Sequence, residues 1–215
     1  MSALRIHEIY LSVQGESTFA GLPCVFVRTT GCPLRCVWCD TAYAFEGGET
    51  MECADVLARA LAFGVDFVEI TGGEPLAQKE VPALVTQLCD AGRTVLIETS
   101  GAYPIDALDE RARVIMDLKC PDSGEDSRNL WSNIDALRAK DEVKFVLASR
   151  RDYEYARDAI ARHELHRRAG AVLLSVVFGA LTPVDVVNWM LADRVPARFQ
   201  LQMHKFIWPP DERGV

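Results

Sequence analysis

The chain has 215 residues, about the length of one large domain. Its 23 Lys and Arg against 31 Asp and Glu leave a net charge of −8, which excludes a binder of the nucleic-acid backbone, because that needs a basic face. Apolar residues at 49% and charged residues at 25% exclude a disordered, collagenous or coiled-coil chain, and no apolar run approaches the roughly 20 residues of a membrane helix.

The N-terminal MSALRIHEIY lacks the apolar stretch of a signal peptide, so a cytoplasmic location is expected, with no membrane partner. In chain order, the alternation Ile6, Glu8, Tyr10, Ser12 predicts a first strand, and VFVRT at 25–29 a second. GGET then breaks the chain, and a helix is expected over 51–63 with Val56, Leu57, Ala60, Leu61 and Phe63 on one stripe. Short apolar runs follow at 67–71, 94–98, 114–118, 143–147, 171–177 and 198–202. Helices are predicted between most of them, at 80–91, 152–166 and 183–192; Thr182 as N-cap and Pro183 at the first helical position mark the start of the last. The 119–140 stretch has weaker helical patterning and reads partly as loop.

Strands alternating with helices imply an α/β fold with a parallel sheet and right-handed crossovers. A complete eight-unit barrel takes about 250 residues. The expected architecture is therefore an incomplete, TIM-like barrel of six parallel βα units in a single domain over 1–215. Its parts would be N-terminal strands over 4–30, a cysteine loop over 31–41, a βα core over 50–203 and a closing tail over 204–215. Chemistry in such folds collects at the C-terminal ends of the strands. Polar and glycine residues sit there in this sequence: Thr71-Gly72-Gly73-Glu74, Glu98-Thr99-Ser100-Gly101 and Asp117-Leu118-Lys119.

Seven cysteines in a reducing compartment are not expected to pair. Cys24, Cys53 and Cys89 lie singly among apolar neighbours and read as small buried hydrophobes, while Cys120 follows Lys119 at a strand end. Cys32, Cys36 and Cys39 form the compact pattern CxxxCxxC. A structural zinc site takes four ligands, often as two spaced pairs; no second pair is present and His7, His163, His166 and His204 are remote in sequence. A [4Fe–4S] cluster held by three cysteines keeps one iron free of protein, and that iron can bind a small molecule.

This cysteine pattern resembles that of the radical S-adenosylmethionine enzymes. In that family the open iron is chelated by S-adenosylmethionine, whose cleavage releases a 5′-deoxyadenosyl radical. The resemblance implies a cluster held by Cys32, Cys36 and Cys39, Trp38 beside the adenine, and Gly72-Gly73-Glu74 at the methionine amino group.

Over the whole chain, IHEIYLSVQGES, VFVRTTGCPLRCVWCDT, TGGEPL, ETSG, DLKCPDSGE, DEVKFVL and LQMHKFIWPPDERGV are similar to the 7-carboxy-7-deazaguanine synthases. VQGES, CDT and the HKFIW tail carry the resemblance most specifically. It implies a ring contraction of 6-carboxy-5,6,7,8-tetrahydropterin with loss of ammonia, in queuosine or other 7-deazapurine biosynthesis. It also implies Mg²⁺, a reductant such as flavodoxin or ferredoxin, and a homodimer.

Position by position, the resemblance places Val13, Gln14, Gly15, Glu16, Arg28, Thr71, His204 and Pro210 at the pterin. Asp40, Asp117, Leu118, Lys119, Ser175, Val176, Val177 and Phe178, with Cys39, fall at S-adenosylmethionine, and Thr41 at Mg²⁺. This chain continues through DERGV, so a terminal carboxylate contact is not carried over to Pro210. Two rivals remain on sequence: a glycyl-radical activase, which shares the cysteine spacing, and a non-catalytic iron–sulfur or zinc module.

Overall fold

The N-terminal alternation forms an eleven-residue strand, β1 (Ala3–Val13), in a computed structural model that describes residues 2–215. β1 pairs antiparallel with β2 (Pro23–Thr29) and with β3 (Glu49–Glu52). β4 (Phe67–Gly72), β5 (Thr94–Thr99), β6 (Arg113–Asp117), β7 (Glu142–Leu147), β8 (Ala171–Val176) and β9 (Arg198–Phe199) then add in order, every pair from β2 onward being parallel. Among the described residues the sheet has nine strands in the order β3-β1-β2-β4-β5-β6-β7-β8-β9 and does not close. This is the expected incomplete barrel. Among the described residues, no helix is long and apolar enough to cross a membrane.

The helices are α1 (Cys53–Ala62), α2 (Val81–Asp90), α3 (Asn133–Ala136), α4 (Arg150–Arg162), α5 (Leu165–Arg168), α6 (Pro183–Asp193) and α7 (His204–Ile207). Several boundaries differ from the sequence expectation. Glu49–Glu52 is a strand because it finds the free edge of β1 at Ala3–Ile6, so α1 starts two residues late. α4 starts two residues early because Ser149 accepts from the Asp152 N–H. The expected 152–166 helix breaks at Glu164, whose φ of 48° is left-handed. β9 stops after two residues, because the chain then turns to bond Met203 N–H to the Gly15 carbonyl at 2.8 Å. Thr182 caps α6 as expected, accepting from Asp185 N–H.

Alternation along the parallel strands separates two environments. Val25, Val27, Val68, Ile70, Val95, Ile97, Val143 and Phe145 face the helices and pack with Val56, Leu84, Leu88, Tyr153 and Ile160 in one continuous apolar layer. Each such side chain contributes roughly 1.5–3 kcal/mol on burial. The intervening positions face the barrel interior and are largely polar: Arg28, Glu69, Thr71, Glu98, Asp117 and Lys144. A polar interior is costly in a packed barrel and marks the place where a ligand sits.

Because β1 runs antiparallel, its C-terminal end lies beside the start of β2, with Val13 opposite Pro23. The following 14–22 loop therefore covers the N-terminal end of the barrel. Thr18 N–H donates to both Glu142 carboxylate oxygens at 3.2 Å, and the Phe19 ring stands 5.5 Å from Phe67.

Candidate active site

The interior opens as a cavity of about 490 Å³ that runs from the cysteine loop to the 14–22 loop. Cys32, Cys36 and Cys39 line it and are half-buried, whereas Cys24, Cys53, Cys89 and Cys120 are buried elsewhere. All seven are free thiols. Leu34, 1% exposed, anchors the loop, and Arg35 braces it by donating to the Cys32 and Leu34 carbonyls at 2.7 Å. Burial pushes the Cys32 thiol up and the Cys36 thiol to about 11, the latter opposed by the nearby Lys119 ammonium. The thiolates therefore form when a metal replaces the proton.

Among the described residues, no three His, Cys, Asp or Glu side chains converge to hold a single metal ion. Three thiols on one loop without a fourth fit a cluster, whose cysteines each take a different iron, better than mononuclear zinc. The neighbouring loop is shaped to admit them. A Cβ on Gly73 would stand 2.3 Å from the Gly31 carbonyl oxygen and 2.8 Å from the Cys32 Cβ. Gly72 has a φ of 150°, and a Cβ there would meet the Thr29 hydroxyl at 2.3 Å. The two glycines thus let the β4 loop lie against the cysteine loop.

The structure brings most expected site residues to this cavity. Trp38, Asp40, Thr41, Gly72, Gly73, Asp117, Lys119, Val177 and Phe178 line it, as do Val13, Gln14, Gly15, Glu16, Arg28, Thr71, His204 and Pro210. Asp117 Oδ2 accepts from Lys119 Nζ at 2.8 Å, while its buried Oδ1 has no partner and suits a ligand donor. Thr41 precedes a short 3-10 turn and makes no side-chain cap bond; its hydroxyl lies 3.7 Å from the Cys39 Sγ.

Four expected ligand residues are not on the wall. Glu74 is fully buried, and its carboxylate accepts from Thr99, Ser100 and Leu76. The Leu118 side chain packs into the helix-facing layer. Ser175 is fully buried in β8 with its hydroxyl unpartnered, and Val176 packs into the helix-facing layer. The side chains of Glu74, Leu118 and Val176 therefore lie behind the wall, where only their backbone groups face the ligand space, while Ser175 is on the interior face of β8 opposite Val146.

Two further residues are more engaged than expected. Arg28 Nε donates to Glu8 at 2.7 Å and Nη2 to the Tyr10 hydroxyl at 3.0 Å, so part of its fork is already spent. Glu16 accepts from Lys144 Nζ and Gln202 Nε2, both at 2.8 Å. Burial pushes Glu16 up, but Lys144 and these hydrogen bonds outweigh it and hold the carboxyl at about 2. Gly15 lies under His204, where any Cβ would stand 2.2 Å from Nδ1.

Sequence reasoning placed Glu98 at the strand-end rim without giving it a role, and missed Tyr10, Tyr43, Glu69, Lys144 and Lys205 as wall residues. The available signal was a charge in the middle of an otherwise apolar strand, as in FVEITG, TVLIET and EVKFVL. The tail reaches the cavity to its end: Asp211 to Val215 line it, and the Arg213 guanidinium lies 4.3 Å from the Tyr43 ring centre.

Comparison with known proteins agrees with this geometry. The Radical SAM superfamily model matches residues 26–163. The 7-carboxy-7-deazaguanine synthase of Chlorobaculum tepidum is 46% identical over 215 residues, covering 99% of this chain and 97% of its own length. That of Koribacter versatilis is 43% identical over 227 residues, covering 99% of this chain and all of its own. Among solved structures, QueE from Escherichia coli superposes with a TM-score of 0.72 at 24% identity, over 94% of this chain and 95% of that one. Streptococcus suis SuiB bound to S-adenosylmethionine gives 0.57 at 15% identity, over 80% and 45%. The last two are likenesses of fold.

Proposed function

The chain belongs to the radical SAM superfamily and, within it, to the 7-carboxy-7-deazaguanine synthases, and on that premise we propose how its cavity works. The reaction is the ring contraction of 6-carboxy-5,6,7,8-tetrahydropterin to 7-carboxy-7-deazaguanine, with loss of ammonia. The carrying observation is a three-thiol rim opening into a small polar cavity whose wall holds two arginines, three lysines and several carboxylates. A cavity of about 490 Å³ suits a pterin and not the extended backbone that an activase must admit. A non-catalytic module would leave the polar wall without a use.

When bound, the cluster and S-adenosylmethionine supply the radical that starts the rearrangement. Cys32, Cys36 and Cys39 would hold the cluster, with Gly72 and Gly73 giving it room and Trp38, Asp117, Lys119, Val177 and Phe178 beside the nucleoside. Gln14, Gly15, Glu16, Thr71 and His204 would hold the pterin from below, and the tail from Pro210 onward would cover it. A low-potential reductant of the flavodoxin or ferredoxin type, a homodimer and a cytoplasmic location complete the reading. Anaerobic, reconstituted protein given reductant, S-adenosylmethionine and the tetrahydropterin should form the deazaguanine. Cleavage of S-adenosylmethionine with no deazaguanine formed would overturn the reading.

Arg28 would pair with the pterin carboxylate through the part of its guanidinium that Glu8 and Tyr10 leave free. Losing a charged hydrogen bond in such a site costs about 1.5–3 kcal/mol. Arg28→Ala should therefore weaken pterin binding roughly tenfold or more and leave iron content unchanged. Unchanged pterin affinity in a titration would remove the role.

Thr41 would give Mg²⁺ its protein oxygen, with substrate oxygens and water completing the octahedron that this ion prefers. Its place on the cavity wall, with a hydroxyl held only by the weak contact to the Cys39 thiol, supports the assignment. Thr41→Ala should keep its cluster, cleave S-adenosylmethionine slowly and lose most of its response to added Mg²⁺. A Mg²⁺ activation curve identical to the parent's would transfer the role to Asp40, whose Oδ2 already accepts from Lys205 at 3.0 Å.

A further inference from the structure

Glu69 is a carboxylic acid side chain in the middle of a parallel strand, 1% exposed, at the inner end of the cavity. The β4–β5 register pairs Glu69 with Leu96, so Glu98, two residues on, emerges on the same interior face. Glu98 is the outer of the two, with its side chain 28% exposed to the cavity. Its carboxylate takes the Thr71 hydroxyl at 3.4 Å and the Lys144 ammonium. Glu69 receives only the neutral Gln14 amide.

Charge counting at this spot leaves a deficit. Glu16, Glu69 and Glu98 surround one buried cation, Lys144, which already binds Glu16 at 2.8 Å and Glu98. Three carboxylates on one ammonium would carry two uncompensated charges, and the fully buried Glu69 is the one that a low-dielectric interior holds least well as an anion. Glu16 is matched by Lys144 and Gln202 and stays ionised. Glu69, buried and without a cation of its own, therefore takes the proton. Burial, followed by the neighbouring Glu98, pushes Glu69 well above the usual carboxylate range. The other titratable groups facing them are Asp117 on β6, Tyr10 on β1 and His204 in the tail; Cys24 on β2 lies behind Glu69.

We propose that Glu69 and Glu98 share one proton, and that this pair is the acid–base group for ammonia loss and rearomatisation. The proposal rests on the ring-contraction reading above. That step needs one proton delivered and one removed. As the C–N bond breaks, its electron pair goes to nitrogen, which takes the proton from Glu98. A ring carbon then gives its proton back to the pair, and the C–H electron pair becomes the ring double bond. The pair ends as it began, with one proton, and no oxidant or reductant is consumed. Glu98 is the catalytic residue; Glu69 is a positioning residue that keeps the second acceptor within reach. Two carboxyl groups sharing a site titrate as a unit, which suits a group that must donate and then accept.

Infrared spectroscopy of the reconstituted protein tests the sharing directly. The parent should show the carbonyl band of a protonated carboxylic acid at neutral pH, and Glu69→Gln should lose it. Glu98→Gln should lower product formation by about 100-fold, the ordinary range for a general acid–base group, with S-adenosylmethionine cleavage retained. Glu69→Gln should keep the pterin KM and iron content. Its alkaline limb of the kcat profile should move to lower pH, because one carboxyl beside an ammonium holds a proton less tightly than two that share it. Absence of the band from the parent, or a Glu69→Gln protein with an unchanged pH limb, overturns the proposal. A parent that shows the band but makes no deazaguanine would instead sink the ring-contraction reading and the catalytic part with it, leaving the shared proton standing.

Discussion

Cys36→Ala protein should purify without the brown colour of an iron–sulfur cluster and should cleave no S-adenosylmethionine, and the same holds for Cys32→Ala and Cys39→Ala. Three thiols are the minimum that leaves one iron of a four-iron cluster open, so losing one removes a ligand that nothing nearby replaces. His204 also lines the cavity, but its imidazole is packed over Gly15 at the other end. Cys24, Cys53 and Cys89 are at most 8% exposed, and none lines the cavity. Their replacement by Ala should cost about 1 kcal/mol of burial each and leave colour and cleavage intact. Iron content and visible absorbance after anaerobic reconstitution make the comparison. A Cys36→Ala protein with full iron and full activity would refute the assignment.

The parts of the site legible in the sequence were the local ones. Cys32, Cys36 and Cys39 fall within one loop, and Gly72-Gly73 directly follows a strand, so spacing alone brings each group together. The six apolar runs located β4 to β9 because parallel strands covered by helices read as continuous hydrophobic segments. β3 escaped because four residues with two glutamates carry no strand pattern; only the free edge of β1 makes them one. The Arg28–Glu8–Tyr10–Tyr43 network escaped for a related reason, since its members come from β1, β2 and the turn after the cysteine loop. Glu69, Glu98 and Lys144 were visible as charges inside apolar strands, but which face they occupy depends on register, and register is a property of the sheet.

Glu74 shows that a motif can be recognised while the part its side chain plays stays hidden in the sequence. The Gly-Gly-Glu run lies at the cavity, yet the carboxylate turns away from it. Glu74 Oε1 accepts from Leu76 N–H and Thr99 Oγ1 at 2.8 Å, and Oε2 from Ser100 N–H at 2.7 Å and Ser100 Oγ at 2.5 Å. The backbone N–H of Glu74 donates to the Gly31 carbonyl at 2.8 Å, and that of Gly73 to the Thr29 carbonyl at 3.2 Å. One buried carboxylate thereby joins the ends of β4 and β5, while its own backbone is tied to the first residue of the cysteine loop.

Glu74→Ala should consequently act first on stability. It leaves two backbone N–H groups and two hydroxyls without their acceptor in a site closed to solvent. Unsatisfied buried donors cost about 1–3 kcal/mol each, and hydroxyls can turn to other acceptors, so a total loss of about 3–5 kcal/mol is expected. That is a large share of the 5–15 kcal/mol typical of a folded domain. Glu74→Gln keeps the volume and one acceptor oxygen but sets an NH₂ against the Ser100 N–H or the Thr99 hydroxyl, so it should fall between Ala and the parent. Urea unfolding of the three proteins measures the order directly. S-adenosylmethionine binding should weaken in the same order, because the loop that carries Gly72 and Gly73 loses its side-chain tie to the end of β5. A Glu74→Ala protein as stable as the parent but unable to bind S-adenosylmethionine would mean that the carboxylate touches the ligand itself, and the assignment of Glu74 to the support of the wall would fall.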